Sequence, residues 1–194
     1  MQITTCYVGD SAVLSRRDLL LGGVGLMTAA GSSIAAPSGA VYADFWSAPR
    51  ALRLYRKETG ERGDFEYWRD GRLQLPVWFA LLKLLRDVDA NVVMHFDPRA
   101  VDIVWAVQEW CYRDSGKRLP FRLTDAGRVE ATNERTPGAA ANSEHKRGRA
   151  LDGRLEGLGL QNYARAARFF GLGGVGLYEA HVHVDSGRVR KWGF

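Results

Sequence analysis

Ser143-Glu144-His145-Lys146-Arg147-Gly148-Arg149-Ala150-Leu151-Asp152 (SEHKRGRALD) and, later, His181-Val182-His183-Val184-Asp185 (HVHVD) hold three of the chain's four histidines. The fourth, His95, stands apart in an apolar stretch. Residues two apart on a strand face the same side, so both imidazoles of the late pair look into one cleft. His145, Asp152 and one of His181 and His183 then form a His-Asp-His donor set. Zinc accepts imidazole nitrogen and carboxylate oxygen, and three protein ligands leave a fourth position for water. That water is a strong nucleophile near neutral pH, and the metal also polarises a carbonyl.

The pattern Ser143-x-His145-x-x-Gly148-x-Ala150-x-Asp152 is more specific than its composition. Gly148 permits a tight turn between the two donors. Ala150 leaves room beside a metal, and Ser143 is placed to orient a ligand from behind. Asp185 shares the late strand face and is assigned to orienting a neighbouring group.

Around these motifs the chain reads as an α+β domain. Residues 51–61 alternate apolar and polar residues and turn at Gly60; 65–72 form the return strand, with a turn at Asp70-Gly71. Pro76 opens an apolar helix through Leu85, and Asp97-Pro98 caps a second helix to about Tyr112. Short strands follow at 121–124, 150–155 and 180–185, and a helix at 160–170 stops at Gly171. Residues 134–143 read as a loop or broken helix, and Gly173–Gly176 as a flexible stretch beside the cleft. That glycine run lacks the lysine and the helix of a phosphate loop. Helices early and strands late indicate α+β rather than alternating βαβ units.

The 194 residues carry a formal net charge of +5, which suits an anionic partner such as wall polymer, nucleic acid or membrane headgroups. Arg188, Arg190 and Lys191 read equally as a wall contact or a solvated face. Trp46, Trp68, Trp78, Trp105 and Trp110 read as core rather than as the lining of a glycan groove. Cys111 lies in a helical apolar pattern and reads as a buried core residue, not a nucleophile.

The N-terminus differs from the rest. Arg16-Arg17 precedes an uncharged, glycine-loosened stretch from Leu19 to Ala43, and Ser33-Ile34-Ala35 supplies the small residues of a cleavage site. The paired arginines resemble a twin-arginine export signal. The uncharged run is also long enough to anchor in a membrane, although its glycines and serines make a poor span. Residues 1–36 are expected to be a signal peptide and 37–194 a single domain. Loss of Cys6 with the signal leaves Cys111 without an internal disulfide partner.

SEHKRGRALD followed by HVHVD resembles the D-Ala-D-Ala carboxypeptidase and murein endopeptidase family of zinc metallopeptidases. Glu58–Glu61 (ETGE), Tyr67–Arg72 (YWRDGR) and Val182–Trp192 (VHVDSGRVRKW) make it most similar to an exported bacterial branch, long labelled a domain of unknown function. The resemblance covers nearly the whole mature chain. It implies a hedgehog/DD-peptidase type domain, with a small antiparallel sheet carrying a zinc ion on His145, Asp152 and His183. It further implies cleavage of amide bonds in peptidoglycan stems or cross-links. The expected setting is the periplasm, reached through the twin-arginine machinery by a monomer that binds no nucleic acid. An endopeptidase is the favoured activity; a D-alanyl carboxypeptidase and a non-catalytic, zinc-stabilised wall-binding module are the alternatives. Some relatives place the first histidine of the late pair near the metal-bound water, which makes His181 the candidate base, although many members of the exported branch are expected to be aromatic there. Asp125–Asn133 (DAGRVEATN) matches the family's SGYRSPATN-like segment at Arg128, Ala131, Thr132 and Asn133 but not in its lead-in. Arg128 is the expected contact for a substrate carboxylate or the oxyanion.

Overall fold

A computed structural model describes residues 44–194. The signal-peptide assignment, its cleavage site and Cys6 lie outside the described residues.

The N-terminal hairpin forms as its alternation predicts. Strand β1 (Arg50–Arg56) buries Leu52 and Leu54 on one face and pairs antiparallel with β2 (Arg62–Arg69). The return strand starts earlier than expected, and Asp70-Gly71 instead turns the chain into a two-residue strand, β3 (Arg72–Leu73). Helix α1 (Leu75–Leu84) carries Pro76 in its first turn, where the missing N–H costs nothing. Helix α2 (Pro98–Ser115) runs a turn further than its sequence suggested, capped by Asp97 at its start and by left-handed Gly116 at its end. It is the core helix, and Trp105 and Cys111 are buried on it. Its polar groups tie it to the sheet. Gln108 accepts from the Arg53 N–H at 2.9 Å and donates to the Arg53 carbonyl at 2.8 Å; Asp102 accepts from Tyr67 Oη at 2.7 Å.

Strand β4 (Phe121–Asp125) leads to α3 (Glu130–Arg135), a single helical turn and a half that the sequence reading did not separate from the loop after it. Strand β5 (Ala150–Leu155) and helix α4 (Leu160–Phe170) fall where turn and period signals put them. Three alanines, Ala164, Ala166 and Ala167, are buried along α4 and let it pack close to its neighbours. Then come β6 (Gly174–Leu177), β7 (Val182–Asp185) and β8 (Arg190–Trp192).

The result is a mixed α/β domain built on one sheet. The sheet is neither small nor purely antiparallel, which corrects the expectation. It has eight strands in the order β3-β2-β1-β4-β5-β7-β6-β8, with parallel pairs at β1·β4 and β6·β8. These pairs join strands that are not consecutive in the chain, which local alternation cannot register. Helices α2 and α4 pack against β5 and β7, burying Leu151, Leu155, Val182 and Val184. Alternation along the same strands turns Asp152 and His183 to the opposite face. Trp78 and Trp105 are core, and Trp46, Trp68 and Trp110 pack against it, as expected. No helix among the described residues is long and apolar enough to cross a membrane.

Candidate metal centre

His145 stands on a 3-10 turn (Glu144–Arg147) whose start is capped by Ser143, its Oγ accepting the His145 N–H at 3.3 Å. Ser143 thus orients the ligand through its backbone. Gly148 ends the turn at φ 59° and ψ 43°, the left-handed region. A Cβ there would overlap the His95 carbonyl, so glycine is required twice over, by conformation and by space. Asp152 follows on β5 and lies opposite His183 of β7 in the antiparallel register. Strand pairing therefore puts His183, not His181, directly opposite Asp152.

His145 Nε2, Asp152 Oδ1 and His183 Nδ1 converge. Their separations are 3.3 Å between the two nitrogens, 3.4 Å from His145 to Asp152 and 2.8 Å from His183 to Asp152. Tetrahedral zinc, with bonds of about 2.0–2.1 Å, spaces its donors by about 3.3 Å. Two of the three edges already match, and the third is a hydrogen bond that a metal would replace. Among the described residues this is the one group of three such donors close enough to share an ion.

The outer nitrogens are held as well. His145 Nδ1 lies 2.5 Å from the Ala126 carbonyl, which can only accept, so Nδ1 carries the hydrogen and Nε2 presents its lone pair inward. His183 Nε2 donates to Asp185 Oδ2 at 3.0 Å, which turns Nδ1 inward. Each imidazole is thus aimed from behind, the arrangement that fixes tautomer and ring orientation in metal sites.

The charges fit the same picture. Burial raises the Asp152 carboxyl, but hydrogen bonds and positive charge from His145 and His183 overcome it and hold the group well below the usual carboxylate range. Burial pushes His183 down, yet its bonds to Asp152 and Asp185 prevail and carry it up to about 9. Asp185 is likewise opposed by burial, and is drawn down to about 2 by His183, Arg190 and the Gly187 N–H. The donor set is anionic and imidazole-rich, as zinc prefers.

Asp185 is fully buried and plays the orienting part expected of it. The residue behind it was not anticipated. Arg190, about a third exposed, donates from β8 to Asp185 Oδ1 at 2.8 Å, so it is tied to the site rather than merely solvated. We expect Arg190→Met to weaken zinc binding by about 10–100-fold, the usual consequence of losing a group that orients a ligand. Titration with a zinc-sensitive chelator measures this; unchanged affinity would show that Asp185 needs no counter-charge.

His181 lies just before β7 rather than on it. Its Nε2 is 3.6 Å from Asp152 Oδ2, its ring stacks on Tyr178 at 4.7 Å, and a quarter of its side chain is exposed. Tyr178 Oη accepts from Trp192 Nε1 at 2.9 Å, and the Trp192 ring packs 5.3 Å from His183. Gly174–Leu177 is a strand, not a flexible stretch. Its glycines are dictated by close approach, since a Cβ at Gly176 would enter the Trp192 indole.

Arg128 is buried, with its N–H donating to the His145 carbonyl at 3.2 Å and its Nε 3.0 Å from Asp125 Oδ2. A bulge at Thr124 breaks the β4 register, so that Leu123 faces Gly153 while Asp125 faces Asp152. The departure from the family's lead-in thus places a carboxylate beside Arg128.

The family model described as peptidoglycan L,D-endopeptidase MepK matches residues 45–192. The chain belongs to this family. Peptidoglycan L,D-endopeptidase MepK of Escherichia coli K12 is 36% identical over 191 residues, covering 94% of this chain and all of the relative. The Haemophilus influenzae protein, described as a probable peptidoglycan L,D-endopeptidase MepK, is 31% identical over 186 residues, covering 91% of this chain and 94% of its own. The resemblance drawn from SEHKRGRALD and HVHVD is borne out at family level, and the MepK match spans the sheet, His145, Asp152 and His183.

Proposed function

We propose that this chain is a zinc-dependent murein endopeptidase that hydrolyses an amide bond in peptidoglycan cross-links, of the L,D type that the names of its relatives specify. The supporting observation is the donor triangle of His145, Asp152 and His183, near zinc spacing and with both imidazoles aimed by hydrogen bonds. These three residues would hold the ion. When bound, zinc supplies a water nucleophilic near neutral pH and polarises the scissile carbonyl.

The remaining steps belong to side chains. His181, beside Asp152 and open to solvent on one side, takes the proton of the attacking water at Nε2 and returns it to the leaving amine. Tyr178 holds that ring flat, and Trp192 holds Tyr178. Arg128 supplies positive charge for the oxyanion or a substrate carboxylate. Digestion of purified peptidoglycan by zinc-loaded protein, with mass analysis of the products, tests the reading. Split cross-links support it; release of D-alanine alone points to a carboxypeptidase, and tight wall binding without products to a non-catalytic module.

In His181→Ala, zinc content should stay near one per chain while turnover of cross-linked muropeptides falls about 10²- to 10⁴-fold. Both are read on one preparation, and full activity would remove His181 from the mechanism. We further propose that residues 1–36 are a twin-arginine signal and that the 37–194 domain works in the periplasm as a monomer. The Arg16→Lys, Arg17→Lys double variant should then leave precursor in the cytoplasm, as fractionation would show. Normal export would rule the signal out.

A further inference from the structure

The open face of the sheet, which carries Asp152 and His183, also carries a row of arginines. Cross-strand register lines up Arg62 of β2, Tyr55 of β1, Arg122 of β4 and Arg154 of β5. Neighbouring strands lie about 4.8 Å apart, so Arg122 and Arg154 leave the backbone side by side. Like charges placed directly opposite one another destabilise a sheet. Other arginines of the sheet are matched, Arg53 with Asp64 at 2.7 Å and Arg190 with Asp185 at 2.8 Å. In this row the offset is incomplete. Glu156 Oε1 is 3.7 Å from Arg122 Nε and already accepts from Tyr55 Oη at 2.9 Å. Arg154 has no ion pair among the described residues, and its Nε, like that of Arg122, is buried without a hydrogen-bond partner. The other acid on this face of β5, Asp152, is engaged by His145 and His183. Burial and the bond to Glu156 raise the Tyr55 hydroxyl, whereas Arg122 and Arg154 both pull it down, so both guanidiniums lie near that oxygen.

Two adjacent guanidiniums with one shared carboxylate fit an anion of higher charge and more oxygens than a carboxylate. A phosphate monoester is a dianion with three free oxygens, enough to meet both planar forks. Beside the row, a cavity of about 450 Å³ is lined by Tyr55 and Arg62 together with Leu54 and Pro120, and leaves room for a small ester group. We propose that Arg122 and Arg154 form a binding site for a phosphate monoester, separate from the metal donors, with the ester group in the Tyr55–Arg62 cavity. Arg154 lies about 7 Å beyond Asp152 on the same strand face, and the β5–β7 register continued by one step sets it opposite His181. An occupied site therefore puts a dianion at the edge of the metal cleft and hinders a substrate lying along the sheet. The binding stands without the peptidase reading; the hindrance rests on it.

Calorimetric titration of zinc-loaded protein with glycerol 3-phosphate, inorganic phosphate and acetate tests the site. Glycerol 3-phosphate should bind most tightly and acetate most weakly. Arg122→Gln and Arg154→Gln should each weaken glycerol 3-phosphate binding by about 10–100-fold, the scale of one or two charge-assisted hydrogen bonds, at unchanged zinc content. Arg154→Lys, which keeps the charge but not the fork, should lose less and keeps the test open if a glutamine variant folds poorly. Lys83→Gln, at an exposed position on α1, should change nothing. Parent-like affinity in both glutamine variants, with loss in Asp152→Ala, would place the phosphate on the metal and overturn the site. Acetate binding as tightly as glycerol 3-phosphate overturns the phosphate assignment, and no binding of either phosphate overturns the site outright. With cross-linked muropeptide as substrate, glycerol 3-phosphate should raise the parent's apparent KM and leave kcat, an effect lost in Arg154→Gln. Binding without any effect on turnover supports the site and overturns the hindrance. Binding by a protein that cleaves no muropeptide supports the site and sinks the peptidase reading.

Discussion

Asp152→Ala should abolish zinc binding at stoichiometric metal and reduce muropeptide turnover to background. A three-ligand site has no spare donor, and among the described residues no other carboxylate joins His145 and His183 in a ligand group. The loss also strands the neighbours. His183 Nδ1 loses its carboxylate at 2.8 Å, and His181 loses the charge 3.6 Å from its Nε2. Metal analysis after gel filtration, paired with product analysis, checks both outcomes. Zinc retained at the parent's affinity would show that Asp152 is not a ligand. The sheet should survive, because Asp152 points away from the face that Leu151 and Leu155 bury.

Gly148→Ala should instead damage the fold, lowering stability by about 2–5 kcal/mol. The left-handed backbone penalises any Cβ by about 1–3 kcal/mol, and overlap with the His95 carbonyl forces a shift of similar cost. That shift would not stay local. The Gly148 carbonyl accepts the Asp97 N–H at 2.8 Å, and Asp97 caps α2 while accepting from Ser186 Oγ at 2.8 Å. The turn that sets His145 against Asp152 is thus tied to the core helix and to the β7–β8 loop. Urea denaturation of the metal-free variant gives the number. A parent-like midpoint would mean that the turn relaxes without strain, and glycine would then be needed only for the approach of a ligand.

The two predictions separate what is local in this protein from what is not. Residue pattern alone was enough for the donor types and their order, for β5 and α4 to their end residues, and for Cys111 and the tryptophans as packing. Each rests on short-range physics: the period of a strand or helix, a glycine stop, a Pro in a first turn. The glycine at 148 was legible for the same reason, though only its conformation and not the His95 carbonyl pressing on it. Tertiary structure decided what depends on strand register across distant segments. It put His183 opposite Asp152 and left His181 before the strand; it turned Arg190, which read equally as a wall contact or a solvated residue, onto buried Asp185. It made a strand of Gly174–Leu177 because Trp192 lies against it, and through the Thr124 bulge it set Asp125 between Arg128 and Arg56. These placements depend on pairing between strands, and a one-residue slip in any pairing would send the side chain to the other face of the sheet.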